Sequence, residues 1–358
     1  MMALFKRVVV KIGSNVLTRK DGTLDVDRMR SLVAQVAELK RLGVEIVMVS
    51  SGAVASGRSE LKLDRKLDAV SSRQLFSAVG QAKLINRYYD LFAEHGLKCG
   101  QVLTTKENFS TRIHYLTQKD CISVMLDNDV VPIVNENDTI SVTELMFTDN
   151  DELSGLIATM IGAEALIILS NIDGIYNGDP ADPGSQVIER IEPEQNLTKF
   201  IQTGRSSFGR GGMLTKCNIA RKVAEEGISV WIANGKRENI LVDLIQGVDV
   251  PHTWFVPNTK EASGVKKWLA HSESFAKGRV HINPQATQVL SQKACSLLFV
   301  GITALEGNFK KGDVVRVVDA DGNEIGVGKA QFDYERAVQL IGRKGLRPFI
   351  HYDYLYID

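Results

Sequence analysis

Cysteine is scarce in this chain of 358 residues: Cys99, Cys121, Cys217 and Cys295 stand far apart and form no CxxC pair. That spacing excludes a disulfide framework and a thiolate metal centre, so the expectation is four reduced, buried thiols in a cytoplasmic protein. No apolar run approaches the ~18 residues of a membrane span. The opening stretch "MMALFKRVVVKIGS" has too short an apolar segment, broken by an early lysine, for a secretory leader; it reads as a strand. Net charge is absent too, since 43 Lys and Arg balance 43 Asp and Glu. Nothing therefore pulls the whole chain toward nucleic acid or a membrane surface. The six histidines show no ligand spacing, and there is no internal repeat or low-complexity tract.

What is present is a regular alternation. "RVVVKI", "VEIVMVS", "VVPIVN", "EALIILS" and "ISVWIAN" are short, continuous, β-branched runs, as expected of strands buried on both faces of a parallel sheet. Between them lie segments of helical period. "DVDRMRSLVAQVAELKRLG" starts acidic, repeats its apolar positions every three to four residues and stops at Gly43; "MLTKCNIARKVAEEG" behaves alike. The reading is an α/β fold, an open and mostly parallel sheet sandwiched by helices, over residues 1–260. After Pro257 the character changes: 261–274 read as a linker and 275–358 as a small, mostly β domain with a turn signal every ten residues or so. "DVVRVVD" and "FIHYDYLYI" read there as strands and "GVGK" as a turn.

The unusual residues cluster at strand ends, where open α/β sheets bind ligands. "KIGSN" places Lys11 and Gly13 after the first strand, and "SSGAVASG" places Ser51 and Gly52 after the second. Glycines there let backbone N–H groups approach an anion. "FGRGGMLTK" sets Arg210, Gly211, Gly212, Met213, Leu214, Thr215 and Lys216 ahead of a helix, where a cation opposes the helix dipole and so asks for an anion. It lacks Walker A spacing. "NENDT" and "FTDNDELSG" crowd five acidic side chains between two apolar runs: a metal site, a helix cap formed by Asp149 and Asp151, or a grip on a polar substrate.

Six stretches, "VVVKIGSN", "VSSGAVASG", "VPIVNENDTI", "FTDNDELSGLIA", "LSNIDGIYNGDP" and "GRGGMLTK", follow one another as in the amino-acid kinases, and most closely resemble the bacterial glutamate 5-kinase family. The chain beyond Lys277 resembles the PUA module attached to many of its members. The resemblance implies transfer of the ATP γ-phosphate to the side-chain carboxylate of L-glutamate, with Mg²⁺ arriving on the ATP and no dedicated protein metal site. A carboxylate of pKa ~4 is already ionised at neutral pH, so no general base is needed, only positioning and charge cancellation. By that resemblance Lys11 and Lys216 bracket the moving phosphoryl group from an open polar cleft, and Asp151 orients them. Gly13 and Gly52 offer N–H groups to its oxygens. Ser51, Gly52, Asp138 and Asn150 hold glutamate, with Asn135 nearby, while Ser170 and Asn171 lie beside the nucleotide with the 210–216 stretch.

Two positions depart from the family pattern: Asn171 stands where an aspartate is common, and Arg210 where a small threonine is usual. The stretch from Gly57 to Tyr89 reads as a charged loop followed by a helix; in the family it borders the glutamate site, which implies feedback inhibition by proline. The resemblance further implies a homo-oligomer and channelling of product to γ-glutamyl phosphate reductase. Other acceptors (acetylglutamate, aspartate, carbamate, a nucleoside monophosphate) are the rival within the class. RNA binding through the PUA module is the rival outside it. From Lys266 onward the chain is only mildly basic and lacks an aromatic platform, which favours a structural or regulatory module.

Overall fold

The structure, a computed structural model, describes residues 3–61, 67–110, 112–141, 147, 149–180, 182–193, 195, 213–258, 276–292 and 295–357. The expected linker at 261–274 lies outside them. Contacts divide the chain into two compact units, residues 1–105 with 117–260, and 106–116 with 261–358.

In chain order the strands of the first unit are β1 (Arg7–Ile12), β2 (Glu45–Ser50), β3 (Lys98–Thr104), β4 (Val130–Glu136), β5 (Ala165–Ser170), β6 (Arg190–Ile191), β7 (Ser229–Asn234) and β8 (His252–Phe255). They form one sheet in the order β3-β4-β2-β1-β5-β7-β8-β6, parallel throughout except at β7–β8. The helices up to residue 225 are α1 (Ser14–Leu17), α2 (Val26–Arg41), α3 (Ala53–Glu60), α4 (Ala69–Ala93), α5 (Glu107–Ser110), α6 (Arg112–Asp127), α7 (Asn150–Ile161) and α8 (Met213–Glu225), of which α5 and the start of α6 belong to the second unit.

Strand alternation decides which residues reach which layer. Val8, Val10 and Ile12 of β1 join a core with Met29, Leu32, Val33 and Val36 of α2. The opposite parity turns Lys11 to the other face, toward α7. There α7 and α8 approach closely at Gly155, where a Cβ would lie 2.9 Å from Val223. α2 starts where the sequence says it should: the Asp25 carboxylate accepts from the Arg28 N–H at 3.1 Å, supplying one of the first turn's missing acceptors. The chain steps outward from β1 to β2 and then to the edge as β3, comes back between them as β4, and crosses to the far side of β1 as β5. That reversal opens a crevice at the strands' carboxyl ends.

α3 and α4 pack almost backbone to backbone. A Cβ on Gly57 would sit 1.8 Å from the Phe76 carbonyl oxygen, and one on Gly80 1.8 Å from that of Ala53. No side chain can yield there, because the obstacle is main chain.

The second unit holds a five-stranded sheet in the order β10-β9-β11-β12-β13, made of β9 (Gly278–Ile282), β10 (Ile302–Gly307), β11 (Val314–Val318), β12 (Glu324–Lys329) and β13 (Leu355–Ile357). Its core is Val280, Val315 and Val317 with Phe299, Phe309 and Phe349. Three expectations change. "GVGK" lies within β12 rather than in a turn: Gly326 and Gly328 are there because β13 and Ile350 press so close that a Cβ would clash. Of "FIHYDYLYI" only Leu355–Ile357 is strand, and Tyr352–Tyr354 is a 3-10 turn. Of the four thiols only Cys217 is buried, Cys99 and Cys295 being half-buried and Cys121 exposed, and all four are free.

Gly80→Ala should force α3 and α4 apart and lower stability by about 1–3 kcal/mol or more. A urea midpoint unchanged from the parent would contradict the backbone contact described above.

Candidate active site

Two groups of side chains converge at the carboxyl ends of β1, β2 and β4. The first is charged. Lys11, the last residue but one of β1, and Lys216, in the first turn of α8, both reach Asp151 in the first turn of α7. The Lys11 ammonium lies 2.5 Å from Oδ1, and Lys216 hydrogen-bonds Oδ2. Asp151 is fully buried, while the side chains of Lys11 and Lys216 are 5% and 16% exposed. Lys11 is therefore walled in rather than placed in an open cleft, a correction to the expectation for that lysine.

Burial by itself would push the Asp151 carboxyl up, but the Lys11 and Lys216 charges outweigh it and bring it down to about 2. Burial also dominates at Lys11 and lowers its ammonium; the Lys216 charge adds to this, and Asp151 opposes it. The helix-cap alternative divides between two residues. Asp149 is the N-cap of α7, accepting from the N–H groups of Asp151 at 2.8 Å and Glu152 at 3.3 Å. Asp151 caps nothing and faces the lysines, where the N-terminal end of α7 also favours its negative charge.

The second group is neutral and hydrogen-bonded. The Asn150 amide donates to the Ser51 hydroxyl at 2.9 Å, to the Asn135 side-chain oxygen at 3.0 Å and to the Ser50 carbonyl at 2.9 Å. One side chain thus ties together the ends of β2, β4 and α7. Ser51, Asn135 and Asn150 line a cleft of about 720 Å³ together with Gly52, Asp138 and Asp149. A tight hairpin closes one side of it, bridged between Thr18 and Leu24, with Thr18, Asp21 and Thr23 toward the cleft. Gly52 has φ +105° and caps α3, a left-handed backbone that excludes most side chains.

One expected contact differs. The Gly13 N–H is not available to an anion, because it donates to the Leu169 carbonyl at 3.0 Å and extends the β1–β5 pairing. Gly13 serves by size instead: a Cβ would stand 3.0 Å from that oxygen and 3.7 Å from the Lys11 ammonium. Ser170 and Asn171 close β5 without lining the cleft. The Ser170 carbonyl accepts from Gly235, and Asn171 is exposed. Met213, Leu214 and Thr215 lead Lys216 into α8. Arg210, Gly211 and Gly212 lie outside the described residues.

Sequence reading missed several partners. Arg73 of α4 pairs with both Asp138 and Glu136, Ser77 donates to Asp138 at 3.1 Å, and Gln81 accepts from Asn135 at 2.9 Å. Asp173 is held by both arms of Arg237 at 2.8 and 2.9 Å. The i, i+4, i+8 spacing of polar residues 73, 77 and 81 on an otherwise packed helix was the available signal.

A family model described as the amino acid kinase family matches residues 6–234, and a PUA domain model matches residues 278–348. The glutamate 5-kinase of Bacteroides thetaiotaomicron is 67% identical over 356 residues, 99% of each chain. That of Chlorobaculum tepidum is 47% identical over 357 residues, 99% of this chain and 98% of its own. Among solved structures, carbamate kinase from Giardia lamblia bound to AMP-PNP superposes with a TM-score of 0.51 at 16% identity, covering 72% of this chain and all of that one. At that identity the likeness speaks to the fold.

Asp151→Asn leaves two ammonium groups without their shared counter-charge and should cost about 3–5 kcal/mol at neutral pH. The Asp151 carboxyl is depressed in the folded state, so its contribution is complete above its ordinary value of 3.8 and is lost as pH falls toward 2. The stability gap between parent and variant should therefore narrow over that acid range in denaturant titrations. A gap constant from pH 5 to 2 would show that the ionised carboxylate contributes nothing.

Proposed function

We infer the activity from a plain premise: the chain belongs to the amino acid kinase family and, within it, to the glutamate 5-kinases. The reaction is transfer of the γ-phosphate of ATP to the γ-carboxylate of L-glutamate, giving γ-glutamyl phosphate in the first step of proline biosynthesis. The observation that carries the assignment of roles is the meeting of Lys11 and Lys216 over one buried carboxylate, beside a cleft lined by Ser51, Asn135, Asp138 and Asn150.

Both reactants are anions, so the chemical problem is repulsion. The acceptor carboxylate is already a nucleophile and needs no proton removed. Lys11 and Lys216 cancel charge on the phosphoryl group as it passes between oxygens, and Asp151 holds the two side chains in register. Two converging cations suit a polyphosphate. Magnesium, when bound, neutralises the nucleotide's phosphate oxygens and is held mainly by them, not by a protein cage.

At the amino-acid end Asp138 takes the α-ammonium, while the Ser51 hydroxyl, the Asn150 amide and the Gly52 N–H take the α-carboxylate. Ser170, Asn171 and the 210–215 stretch attend the nucleotide. The division into a kinase domain, a linker at 261–274 and a C-terminal module from 275 belongs to this reading. So do a cytoplasmic location, a homo-oligomer and delivery of the labile acyl phosphate to γ-glutamyl phosphate reductase. No helix among the described residues is long and apolar enough to cross a membrane. For the C-terminal module a structural or regulatory role is favoured over RNA binding. Arg279 and Arg316 on its sheet are already engaged by Glu306 and Glu324, so those two charges are partly neutralised before any phosphate backbone could meet them.

Lys216→Ala should reduce kcat by about 100- to 1,000-fold, measured as γ-glutamyl hydroxamate formed from glutamate, MgATP and hydroxylamine. Near-parental turnover would remove Lys216 from the mechanism. Lys11→Ala tests the same role less cleanly, since Lys11 is buried against Asp151 and its loss costs stability as well.

Proline at millimolar concentration should inhibit at sub-saturating glutamate and lose its effect as glutamate is raised. Inhibition that ignores the glutamate concentration, or is absent, would place control elsewhere.

A further inference from the structure

We propose that Arg73 is a positioning residue that sets the enzyme's demand for an acceptor carrying a free ammonium group, by fixing Asp138 in the wall of the cleft. The inference rests on the glutamate-kinase reading and deepens it.

Residues 73, 77 and 81 fall on one face of α4 at four-residue spacing, and between them they hold Asn135, Glu136 and Asp138 at the tail of β4 and just beyond it. Arg73 Nε donates to Asp138 Oδ1 at 2.7 Å, and its Nη2 lies 2.9 Å from Glu136 Oε2 and 2.5 Å from Asp138 Oδ1. Ser77 donates to Asp138 Oδ2 at 3.1 Å, and Gln81 accepts from the Asn135 amide at 2.9 Å. Gln74 adds a bond to the Thr139 carbonyl at 2.8 Å. One rigid helix thereby holds residues 135–139 at four points.

The charges explain why an arginine stands there. Asp138 and Glu136 are 6% and 4% exposed and lie close enough to share one guanidinium. Two buried neighbouring carboxylates repel each other and lose hydration, so without a counter-ion one of them would take up a proton. For Glu136, burial followed by the Asp138 charge raises the carboxyl, opposed by the Phe147 N–H and by Arg73. A planar fork can serve both acids at once, where an ammonium would act as a point charge. Arg73 takes Asp138 by Oδ1 and Ser77 takes one lone pair of Oδ2, which leaves the rest of Oδ2 for a ligand N–H in the cleft that Arg73 and Asp138 line.

A carboxylate held this firmly cannot follow a ligand that offers no donor. Such a ligand would bury Asp138 without a replacement for water, which is the arrangement that lets a polar site reject an analogue lacking one group. Glutarate, which is glutamate without its amine, is the direct probe.

The experiment measures hydroxamate and ADP formation with glutamate and with glutarate for the parent, Arg73→Ala, Arg73→Lys and Ser77→Ala. For Arg73→Ala, KM for glutamate should rise about 10- to 100-fold and KM for ATP should stay within about 3-fold, as expected for the loss of charge-assisted hydrogen bonds. The parent's preference for glutamate over glutarate should shrink by a similar factor. Arg73→Lys should recover part of both effects, and Ser77→Ala should raise KM for glutamate about 2- to 5-fold. If KM for ATP rises in step with that for glutamate, or the glutamate-to-glutarate ratio is unmoved, the proposal is overturned. Should Arg73→Ala not fold, an unmoved ratio in Ser77→Ala overturns it equally. A parent enzyme that makes no ADP in response to glutamate would instead sink the underlying reading of function.

Discussion

A single carboxylate with no exposure to solvent, facing two ammonium groups from different parts of the chain, is the constraint on which the rest of the first unit depends. Asp151 would be an unacceptable burden in that position if either partner were missing, because a desolvated charge must be paired. Its presence dictates that the end of β1, the start of α7 and the start of α8 meet at one point. The sheet order achieves this. β1 sits centrally between β2 and β5, and the reversal of winding there opens the space into which both helices aim their first turns.

Around that ion pair the structure separates two kinds of work. In the proposed reaction the lysines and Asp151 handle charge that moves. The amide and hydroxyl cluster of Asn150, Ser51 and Asn135 handles shape and hydrogen-bond direction, and a neutral network can be rigid without costly desolvation of ions. Asp149 belongs to neither group, and by capping α7 it sets where that helix begins. Asn150 and Asp151 follow as consecutive residues of one turn, so the neutral and charged groups keep a constant separation. Helix α4 supports the acceptor side from behind, and its glycine contact with α3 couples it to the loop that follows β2.

Much of this was legible in the residues themselves. The apolar runs became β1, β2, β4, β5 and β7, and the α2 segment begins at its acidic cap, because buried parallel strands and capped helices leave local, periodic marks. The glycine and lysine motifs marked the strand ends. β3, with its half-exposed residues, and the two-residue β6 leave no such mark. The β12 glycines looked like a turn because close strand packing and tight turns select the same residue.

The sequence by itself determined the alternation of the buried strands with the capped helices, the family and the set of polar residues gathered at the strand ends, since each is encoded by local pattern or by motifs in order. Tertiary structure alone decided which of two neighbouring aspartates caps a helix and which meets the lysines. It alone showed that the Gly13 N–H is spoken for by Leu169, and that Arg73 reaches across more than sixty residues to hold Asp138 and Glu136. Those outcomes turn on distances of a few ångströms between segments remote in the chain, and a carboxylate's role follows from which charge comes within that distance of it.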